Sequence, residues 1–240
     1  MNGNAGREAG ETGPEEGVIL FGDSIFFGVG AATRQAGCAR LLQEWLDMPV
    51  GVRSRPGTDS DYGAANLADK VLANPRRNIL VMFGNNDCRI ADDGVPCVDK
   101  KRFHLNLHYM VRTIRERGCR PILCNLQPIC NRKYYDQFPQ ILQYQYFTGM
   151  PLDWQNGYSE VVRRTALELE VDFIDIRSEL LMEIDRVICA DGFHPNDYGH
   201  RRIAEIIHRE LAVILKPSSR KRPPSHRLAL LKAGLQAAAR

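Results

Sequence analysis

Short apolar runs alternate along the chain with segments whose apolar residues recur every three or four positions. The apolar runs predict strands at about 17–21, 50–54, 78–83, 121–125 and 171–176. The amphipathic segments predict helices at about 38–46, 60–72, 99–117 and 154–170, with a last helix after residue 195. Strands that alternate with helices are typical of a parallel sheet covered on both faces. We therefore expect an α/β fold, a three-layer α/β/α sandwich around a five-stranded parallel sheet, formed by one domain over residues 17–216.

Turn residues set several of these boundaries. Pro75 follows the second predicted helix, and Gly118 follows the third, where a residue without a Cβ suits a helix C-terminus. Asn196 or Asp197 is expected to cap the last helix. The positions that this helix should turn inward are Ile203, Ile206, Ile207, Leu211 and Ile214.

The composition is typical overall and differs from the average mainly at the two ends of the chain. With 44% hydrophobic and 25% charged residues the chain is typical of a soluble globular protein, and no run approaches the roughly 18 apolar residues of a transmembrane helix. Residues 1–16 lack the apolar core of a signal peptide and are predicted to be a flexible leader. Residues 217–240 carry basic side chains and no acid, which predicts a flexible basic tail.

The net charge of +3 comes from that tail, so the body of the protein is not basic and we expect no nucleic-acid binding by it. The tail itself has two open interpretations: a solvated segment, or a contact with an anionic partner such as a membrane or a nucleic acid.

Cysteine usage indicates a reducing compartment. There are seven cysteines, an odd number, and none is part of a CxxC pair. This pattern is typical of free thiols rather than of a disulfide framework or a zinc ribbon. Together with the leader it predicts a cytoplasmic location.

Four polar or glycine-containing turns follow predicted strands or precede the last helix. They read GDSI at 22–25, RPGT at 55–58, GNND at 84–87 and DGFHP at 191–195. In open parallel sheets ligands bind beyond the carboxyl ends of the strands. The four turns are therefore expected to meet at one edge of the sheet and to form the functional site.

The turns contain the residue types that acyl transfer requires. Ser24 is the candidate nucleophile, His194 the candidate base, and Asp191 the carboxylate that orients the imidazole. A three-residue spacing lets Asp191 accept a hydrogen bond from one ring nitrogen while the other faces Ser24. The competing interpretations are a serine that only caps a turn and a histidine that only precedes the last helix.

An oxyanion hole is expected from the backbone N–H groups of Ser24 and Gly57 and the side-chain amide of Asn86. Glycine at position 57 should permit a close approach of the backbone to the substrate. Asn85 is the competing donor. Asp23, Gly84 and Asp87 are expected to support the loops, the two carboxylates by accepting backbone N–H bonds.

The four turns resemble the four sequence blocks of the SGNH, or GDSL, hydrolase family in order and spacing, over residues 18–215. This resemblance implies a flavodoxin-like sandwich and an esterase, lipase, thioesterase or acyltransferase that acts through an acyl-serine intermediate. The family pattern Gly-x-Asn-Asp assigns the oxyanion role to Asn86 rather than to Asn85. We therefore expect a hydrolase of small or medium acyl esters that needs no cofactor and no metal. The alternatives are an acyltransferase or deacetylase with the same triad, and a catalytically idle binding module.

The segment between residues 127 and 153 interrupts the alternation of strands and helices. Unstructured connections of this length are uncommon unless they are functional or disordered, and the aromatic content argues against disorder. The aromatic side chains either form a wall for the acyl or alcohol part of the substrate or pack as a small satellite core. The candidates for such a wall are Tyr134, Tyr135, Tyr144, Tyr146 and Trp154.

Five further histidine or cysteine positions are interpreted without a catalytic role. His104 and His108 are four apart on a predicted helix, a spacing that can bind zinc, but no third ligand is evident and a half-buried helix face is favoured. His200 and His208 are expected at the surface of the last helix. Cys88 follows GNND directly, and a buried structural thiol is favoured over a site residue.

Overall fold

The computed structural model describes residues 13–91 and 94–216, so most of the predicted leader and the whole predicted tail lie outside the described residues. The described chain forms one sheet of five strands in the order β2-β1-β3-β4-β5, with every pairing parallel. The strands are β1 (Glu15–Gly22), β2 (Val50–Ser54), β3 (Arg76–Met82), β4 (Arg120–Cys124) and β5 (Asp172–Ile174).

Helices cover both faces of this sheet. In chain order they are α1 (Ser24–Phe27), α2 (Cys38–Trp45), α3 (Ser60–Leu67), α4 (Lys100–Glu116), α5 (Asn131–Gln137), α6 (Gln145–Thr148), α7 (Pro151–Glu168), α8 (Arg177–Leu181), α9 (Ile184–Val187) and α10 (Asp197–Ile214). Helices α3, α4 and α7 pack together in one layer, and α2 packs against α10 in the other. The predicted three-layer α/β/α sandwich is confirmed. Among the described helices none combines the length and the apolar character that crossing a membrane requires.

Burial on both faces explains why the sequences of the three central strands are apolar runs rather than alternating patterns. Strands β1, β3 and β4 are covered by helices on both faces, and the side chains of 18–21, 79–82 and 122–124 are buried. A strand buried on both faces has no solvent side on which polar residues would be favoured. The hydrophobic core therefore lies on both sides of the sheet centre.

Strand β1 begins at Glu15, two residues earlier than the predicted boundary between leader and domain. Glu15 pairs in register with Arg76 of β3 and forms an ion pair with it, and Glu16 forms a second ion pair with Arg77. Charge pairing between neighbouring strands extends β1 beyond its apolar run. An apolar pattern alone does not show this extension.

The segment between 127 and 153 is helical rather than an irregular loop. It contains α5, a 3₁₀ segment at Pro139–Tyr144 and α6. Tyr134 packs against Phe138 with ring centroids 5.0 Å apart. The side chain of Asn131 accepts a hydrogen bond of 2.8 Å from the N–H of Leu152 and so ties the start of the segment to helix α7.

Two further boundaries differ from the prediction. Helix α7 begins at Pro151 instead of 154, because proline at the first helical position needs no N–H partner. Strand β5 has only three residues, since the chain turns into α8 where the side chain of Asn125 accepts the N–H groups of Ile176 and Arg177 at 2.9 and 3.2 Å. A side chain that follows β4 therefore ends β5.

The last helix has the predicted cap. The side chain of Asn196 accepts a hydrogen bond of 2.9 Å from the N–H of Gly199, and its amide donates to the carbonyl of Arg186 at 2.8 Å. The five predicted inward positions of α10 are all buried. The cap lies two residues after His194 and fixes the start of α10 at Asp197.

Replacing this cap should lower stability by a defined amount. We expect Asn196→Ala to be less stable than Asn196→Asp by about 1 kcal/mol, because aspartate still accepts the N–H of Gly199 and alanine does not. Both variants lose the bond to Arg186, so the difference between them isolates the cap. Urea denaturation measures it, and equal midpoints for the two variants would contradict the prediction.

Candidate active site

The four polar turns lie at the carboxyl edge of the sheet, as expected for a parallel α/β fold. GDSI begins at the last residue of β1, RPGT follows β2, and GNND follows β3. DGFHP lies between α9 and α10, and an isolated bridge between Ile188 and Pro195 closes its base. The sheet order places β1 between β2 and β3, so the first three turns are neighbours.

Ser24, His194 and Asp191 form one hydrogen-bonded row. The Nε2 atom of His194 lies 3.1 Å from the Oγ atom of Ser24, and its Nδ1 atom lies 2.7 Å from Oδ2 of Asp191. A carboxylate only accepts, so Nδ1 carries the proton and the lone pair on Nε2 faces the serine hydroxyl. The structure therefore brings together the three residues that the sequence grouped.

A tight turn holds the imidazole and its carboxylate. The Oδ1 atom of Asp191 accepts the backbone N–H groups of Phe193 and His194 at 2.9 and 3.0 Å. The N–H of Cys189 donates to the carbonyl of His194 at 2.8 Å. Burial acts to raise the pKa of Asp191, but the bonds from His194 and the two backbone N–H groups outweigh it and hold the pKa below its usual value. Asp191 is therefore the ionised partner of the imidazole.

Ser24 is the first residue of the short helix α1 and is 4% exposed. The side chain of the preceding Asp23 accepts the N–H of Ile25 at 3.0 Å and caps the helix. The first N–H groups of a helix have no acceptor within it. The N–H of Ser24, at the first position of α1, therefore has no acceptor within this helix.

The loops of Gly57 and Asn86 are joined to each other and to the serine loop. The Nδ2 atom of Asn86 donates to the carbonyl of Thr58 at 2.8 Å, which leaves the second N–H of the amide for another acceptor. Asn85, next to Asn86, donates to Asp23, next to Ser24, at 3.1 Å. Asn86 therefore makes one of these loop contacts itself, and Gly57 and Ser24 each lie one residue away from a contact.

Glycine is favoured at position 57 because the backbone there has a positive φ of +74°, and not because neighbouring atoms crowd it. A Cβ at this position would meet no atom of the protein within 4 Å, so the space beside Gly57 is open, and the expected approach of its backbone to a substrate stays a prediction. Gly84 differs, because a Cβ there would lie 3.0 Å from side-chain atoms of Leu126 and Phe103. Glycine at 84 lets the GNND turn lie directly on the core.

Asn85 belongs to a buried network and not to the open side of the site. Its Nδ2 atom donates to Asp23 and to Gln127, at 3.1 and 3.2 Å, and its Oδ1 atom accepts from Gln155 at 3.0 Å. The Oε1 atom of Gln155 in turn accepts from Arg177 at 2.8 Å. In the described part of the chain no buried side-chain nitrogen or oxygen lacks a partner.

Sequence reasoning missed Gln127, Gln155 and Arg177. One signal was available for Gln155: the inward face of α7 contains polar residues among its apolar ones, including Gln155, Ser159 and Thr165. Arg177 is 6% exposed, and burial lowers its pKa to about 10. Its guanidinium also donates to the carbonyl of Leu152 at 2.9 Å, so it joins α8 to the start of α7.

The two expected supporting carboxylates are wholly buried. Burial raises the pKa of Asp23 to about 6, opposed by hydrogen bonds from Ile25 and Asn85. Burial likewise raises the pKa of Asp87 to about 7, opposed by hydrogen bonds from Ser60. The N–H of Ser60 donates to both oxygens of Asp87, at 3.0 and 3.2 Å, which fixes the GNND turn to the start of α3.

The aromatic candidates lie in different surroundings. The backbone of Tyr134 lies against Gly192 of the DGFHP turn, where a Cβ on residue 192 would be 2.2 Å from the nitrogen of Tyr134. Trp154 is half-buried, and its indole N–H donates to the carbonyl of Cys88 at 2.7 Å, which braces the loop after GNND. Tyr135 contacts Met150, and a Cβ on Gly94 would be 3.4 Å from the ring of Tyr144. The side chain of Tyr146 is outside the described parts of the structure.

The surroundings of His200, His208 and Cys88 were also predicted from the sequence. His200 is buried, not at the surface: its Nδ1 accepts from the N–H of Cys38 at 3.3 Å and its Nε2 donates to the carbonyl of Val29 at 2.9 Å. Burial lowers its pKa and keeps it neutral. His208 packs edge-on against Trp45. Cys88 is buried, as expected.

The expectation that His104 and His108 lack a third partner is wrong. Glu168 of α7, 60 residues further along the chain, approaches both rings. A spacing rule applied to one helix does not detect a partner on a neighbouring helix.

The raised pKa of Asp87 predicts a dependence of stability on pH. A carboxyl whose pKa rises from 3.8 to about 7 on folding binds a proton more tightly in the folded state, so its contribution to stability is complete below pH 4. That contribution is lost as the pH rises from about 4 to about 7, by up to roughly 4 kcal/mol. We expect Asp87→Asn, which does not titrate, to gain stability relative to the wild type across this window. Urea denaturation at pH 4, 5.5 and 7 measures the difference, and a constant difference would contradict the prediction.

Comparison with known proteins identifies the family of this chain. Residues 20–202 match the GDSL-like Lipase/Acylhydrolase family. The uncharacterized lipoprotein YqeF of Bacillus subtilis is 33% identical over 174 residues, which are 67% of this chain and 70% of that protein.

Solved structures share the fold at lower identity. The lipase/acylhydrolase of Enterococcus faecalis is 22% identical, with a TM-score of 0.65 over 83% of this chain and 97% of that one. The acetyl xylan esterase AlAXEase is 22% identical, with a TM-score of 0.63 over 80% of this chain and 98% of that one. The acetyl-xylooligosaccharide esterase Axe2 of Geobacillus stearothermophilus, in a mutant form, is 20% identical, with a TM-score of 0.63 over 83% and 95%. The chain belongs to the GDSL-like lipase/acylhydrolase family and is an enzyme of the hydrolase class.

Proposed function

We propose that the protein is a serine esterase that hydrolyses carboxylic esters with small or medium acyl groups through an acyl-Ser24 intermediate. The observation that carries this proposal is the continuous row Asp191–His194–Ser24, with contacts of 2.7 and 3.1 Å. A histidine held between a carboxylate and a hydroxyl is the arrangement that converts a serine into a nucleophile. A binding module without catalysis has no need for this row.

The first half of the reaction acylates the serine. The lone pair on Nε2 of His194 takes the hydroxyl proton of Ser24 as Oγ bonds to the carbonyl carbon of the ester. Asp191 stabilises the resulting imidazolium through Nδ1. The bond between the carbonyl carbon and the alkoxy oxygen then breaks, and the alcohol leaves with the proton that His194 returns. The acyl group stays on Ser24.

The second half repeats these steps with water. His194 takes a proton from a water molecule, whose oxygen attacks the acyl carbon. The bond to Oγ breaks, the proton returns to Ser24, and the carboxylic acid is released. An alcohol in place of water would give acyl transfer by the same residues.

The negative charge that develops on the carbonyl oxygen needs preorganised donors. We assign these to the N–H groups of Ser24 and Gly57 and to the second N–H of Asn86. The loop contacts Asn86–Thr58 and Asn85–Asp23 support this assignment, because they fix the three donors relative to one another before the substrate arrives. Asn85 is not assigned, since the buried network uses its amide.

The acyl group is proposed to be short, with acetyl as the first candidate. Two solved relatives are described as esterases of acetylated xylan or xylooligosaccharides. Catalytic mutants of Axe2 in which a serine or a histidine is replaced by alanine share the fold as well.

Tyr134 is the aromatic candidate whose backbone contacts Gly192 of the DGFHP turn, and it is proposed to face the substrate. Cytoplasmic location and the absence of nucleic-acid partners stay predictions.

Removal of the nucleophile tests the proposal directly. We expect Ser24→Ala and His194→Ala to lower kcat on p-nitrophenyl acetate by about 10⁴- to 10⁶-fold, because the first change removes the attacking oxygen and the second removes the base that takes its proton. A fluorophosphonate probe should label the wild type at Ser24 and should not label Ser24→Ala.

The matched control is Ser178→Ala, a serine on the exposed side of helix α8. It should keep wild-type kcat and labelling. Near-normal turnover by folded Ser24→Ala, with folding confirmed by circular dichroism, would contradict the proposal. A series of p-nitrophenyl esters from acetate to decanoate then measures the preference for acyl length.

The oxyanion assignment has its own test. We expect Asn86→Ala to lower kcat by about 10²- to 10³-fold with little change in KM, because the lost donor acts on the charge that forms only in the transition state. Asn156→Ala, an exposed position on α7, is the control and should keep wild-type kinetics. A rise in KM at unchanged kcat in Asn86→Ala would assign the amide to ground-state binding instead.

A further inference from the structure

A cluster of metal-ligating side chains lies where helices α4 and α7 pack against each other. His104 and His108 are four apart on α4, so both rings project from the same face of the helix. The ring centroids are 4.3 Å apart. Glu168, the last residue of α7, brings its Oε2 atom to 3.1 Å from Nε2 of His108 and 3.4 Å from Nε2 of His104. One ligand atom from each side chain lies within 4.8 Å of the others.

A second hydrogen bond fixes the orientation of one ring. The hydroxyl of Thr165 donates to the carbonyl of Val161 at 2.8 Å, so its oxygen is available as an acceptor. The Nδ1 atom of His104 lies 3.1 Å from this oxygen and therefore acts as the donor. In the neutral ring the lone pair is then on Nε2, the atom that faces Glu168. Thr165 is fully buried, which holds this geometry in place.

The lone pair on Nε2 faces a carboxylate oxygen at 3.4 Å, a contact that becomes favourable when Nε2 binds a proton or a metal cation. Two imidazole nitrogens and one carboxylate oxygen form the ligand set of open zinc sites, with water at the remaining position. A hydrogen bond from the second ring nitrogen of a ligating histidine is typical of such sites. The side chains of His104, His108 and Glu168 are 32%, 21% and 50% exposed, so an ion and its water can reach them.

We propose that His104, His108 and Glu168 form a binding site for a divalent transition-metal ion, with Zn²⁺ as the expected ion. Imidazole nitrogen selects zinc over magnesium and calcium, which prefer oxygen ligands. The position of Glu168 at the C-terminus of α7, where the backbone carbonyls concentrate negative charge, adds to the attraction for a cation. Because the ligands come from two helices of one layer, the bound ion would hold α4 and α7 together.

The test uses the purified full-length chain, stripped of metal with a chelator and then dialysed. Isothermal titration with ZnCl₂ should show one more bound zinc equivalent in the wild type than in the double variant His104→Gln plus His108→Gln. Zinc at about 100 times the Kd should raise the Tm of the wild type by roughly 5–10 °C and leave that of the double variant unchanged. MgCl₂ at the same concentration should have no effect.

Two further variants separate this site from other zinc ligands in the chain. His208→Gln removes a histidine on α10, away from the cluster, and should keep the full zinc response. Thr165→Val keeps the shape of the buried side chain but removes the acceptor for His104, and should weaken zinc binding by about 10- to 100-fold. X-ray absorption of the zinc-loaded protein should show two histidine nitrogens at about 2.0–2.1 Å.

The double variant and the wild type should hydrolyse p-nitrophenyl acetate at the same rate without zinc, since the cluster contains none of the proposed active-site residues. The outcome therefore does not depend on whether the esterase assignment holds. The same number of zinc equivalents in the wild type and the folded double variant would overturn the proposal, as would a wild type whose Tm does not respond to zinc.

Discussion

Beneath Ser24 a row of buried polar side chains runs from Asp23 through Asn85 and Gln155 to Arg177. Polar groups in a dry interior are tolerated only when they are paired, because an unpaired one costs about 1–3 kcal/mol. Each member of the row therefore fixes the next, and together they join the loops after β1 and β3 to helices α7 and α8. The geometry of the active site depends on this constraint, since a shift of any one loop would leave buried donors or acceptors without partners.

The parallel sheet explains why such distant positions meet. All five strands run in the same direction, so the turns that follow β1, β2 and β3 emerge at one edge although they lie some 30 residues apart in sequence. The fourth turn, which contains His194, reaches this edge through α8 and α9. Its carboxylate and backbone are tied down by local hydrogen bonds and by the packing of Tyr134 on Gly192. Short-range turn chemistry and long-range sheet topology therefore make separate contributions to one site.

The sequence predicts well what is local or repetitive. The five strands, the cap at Asn196 and the grouping of Ser24, Asp191 and His194 follow from apolar runs, from helix signals and from motifs. It does not predict Arg177 or Glu168, because their partners lie on other elements and no spacing rule connects positions that meet only after packing. The helices between 131 and 148 were missed for a related reason: each is too short to show a helical period, and contacts such as Asn131 with Leu152 stabilise them.

The turn from Asp191 to His194 has a consequence for motion. Its carboxylate binds the imidazole and two backbone N–H groups of the same four residues, so we expect the imidazole and the carboxylate to move together. A displacement of the turn would then move the imidazole and the carboxylate together. It would change one distance, the one between the ring and the hydroxyl of Ser24. The distance between the imidazole and the carboxylate is therefore set within the turn, whereas the distance to Ser24 depends on how the turn packs against the rest of the protein.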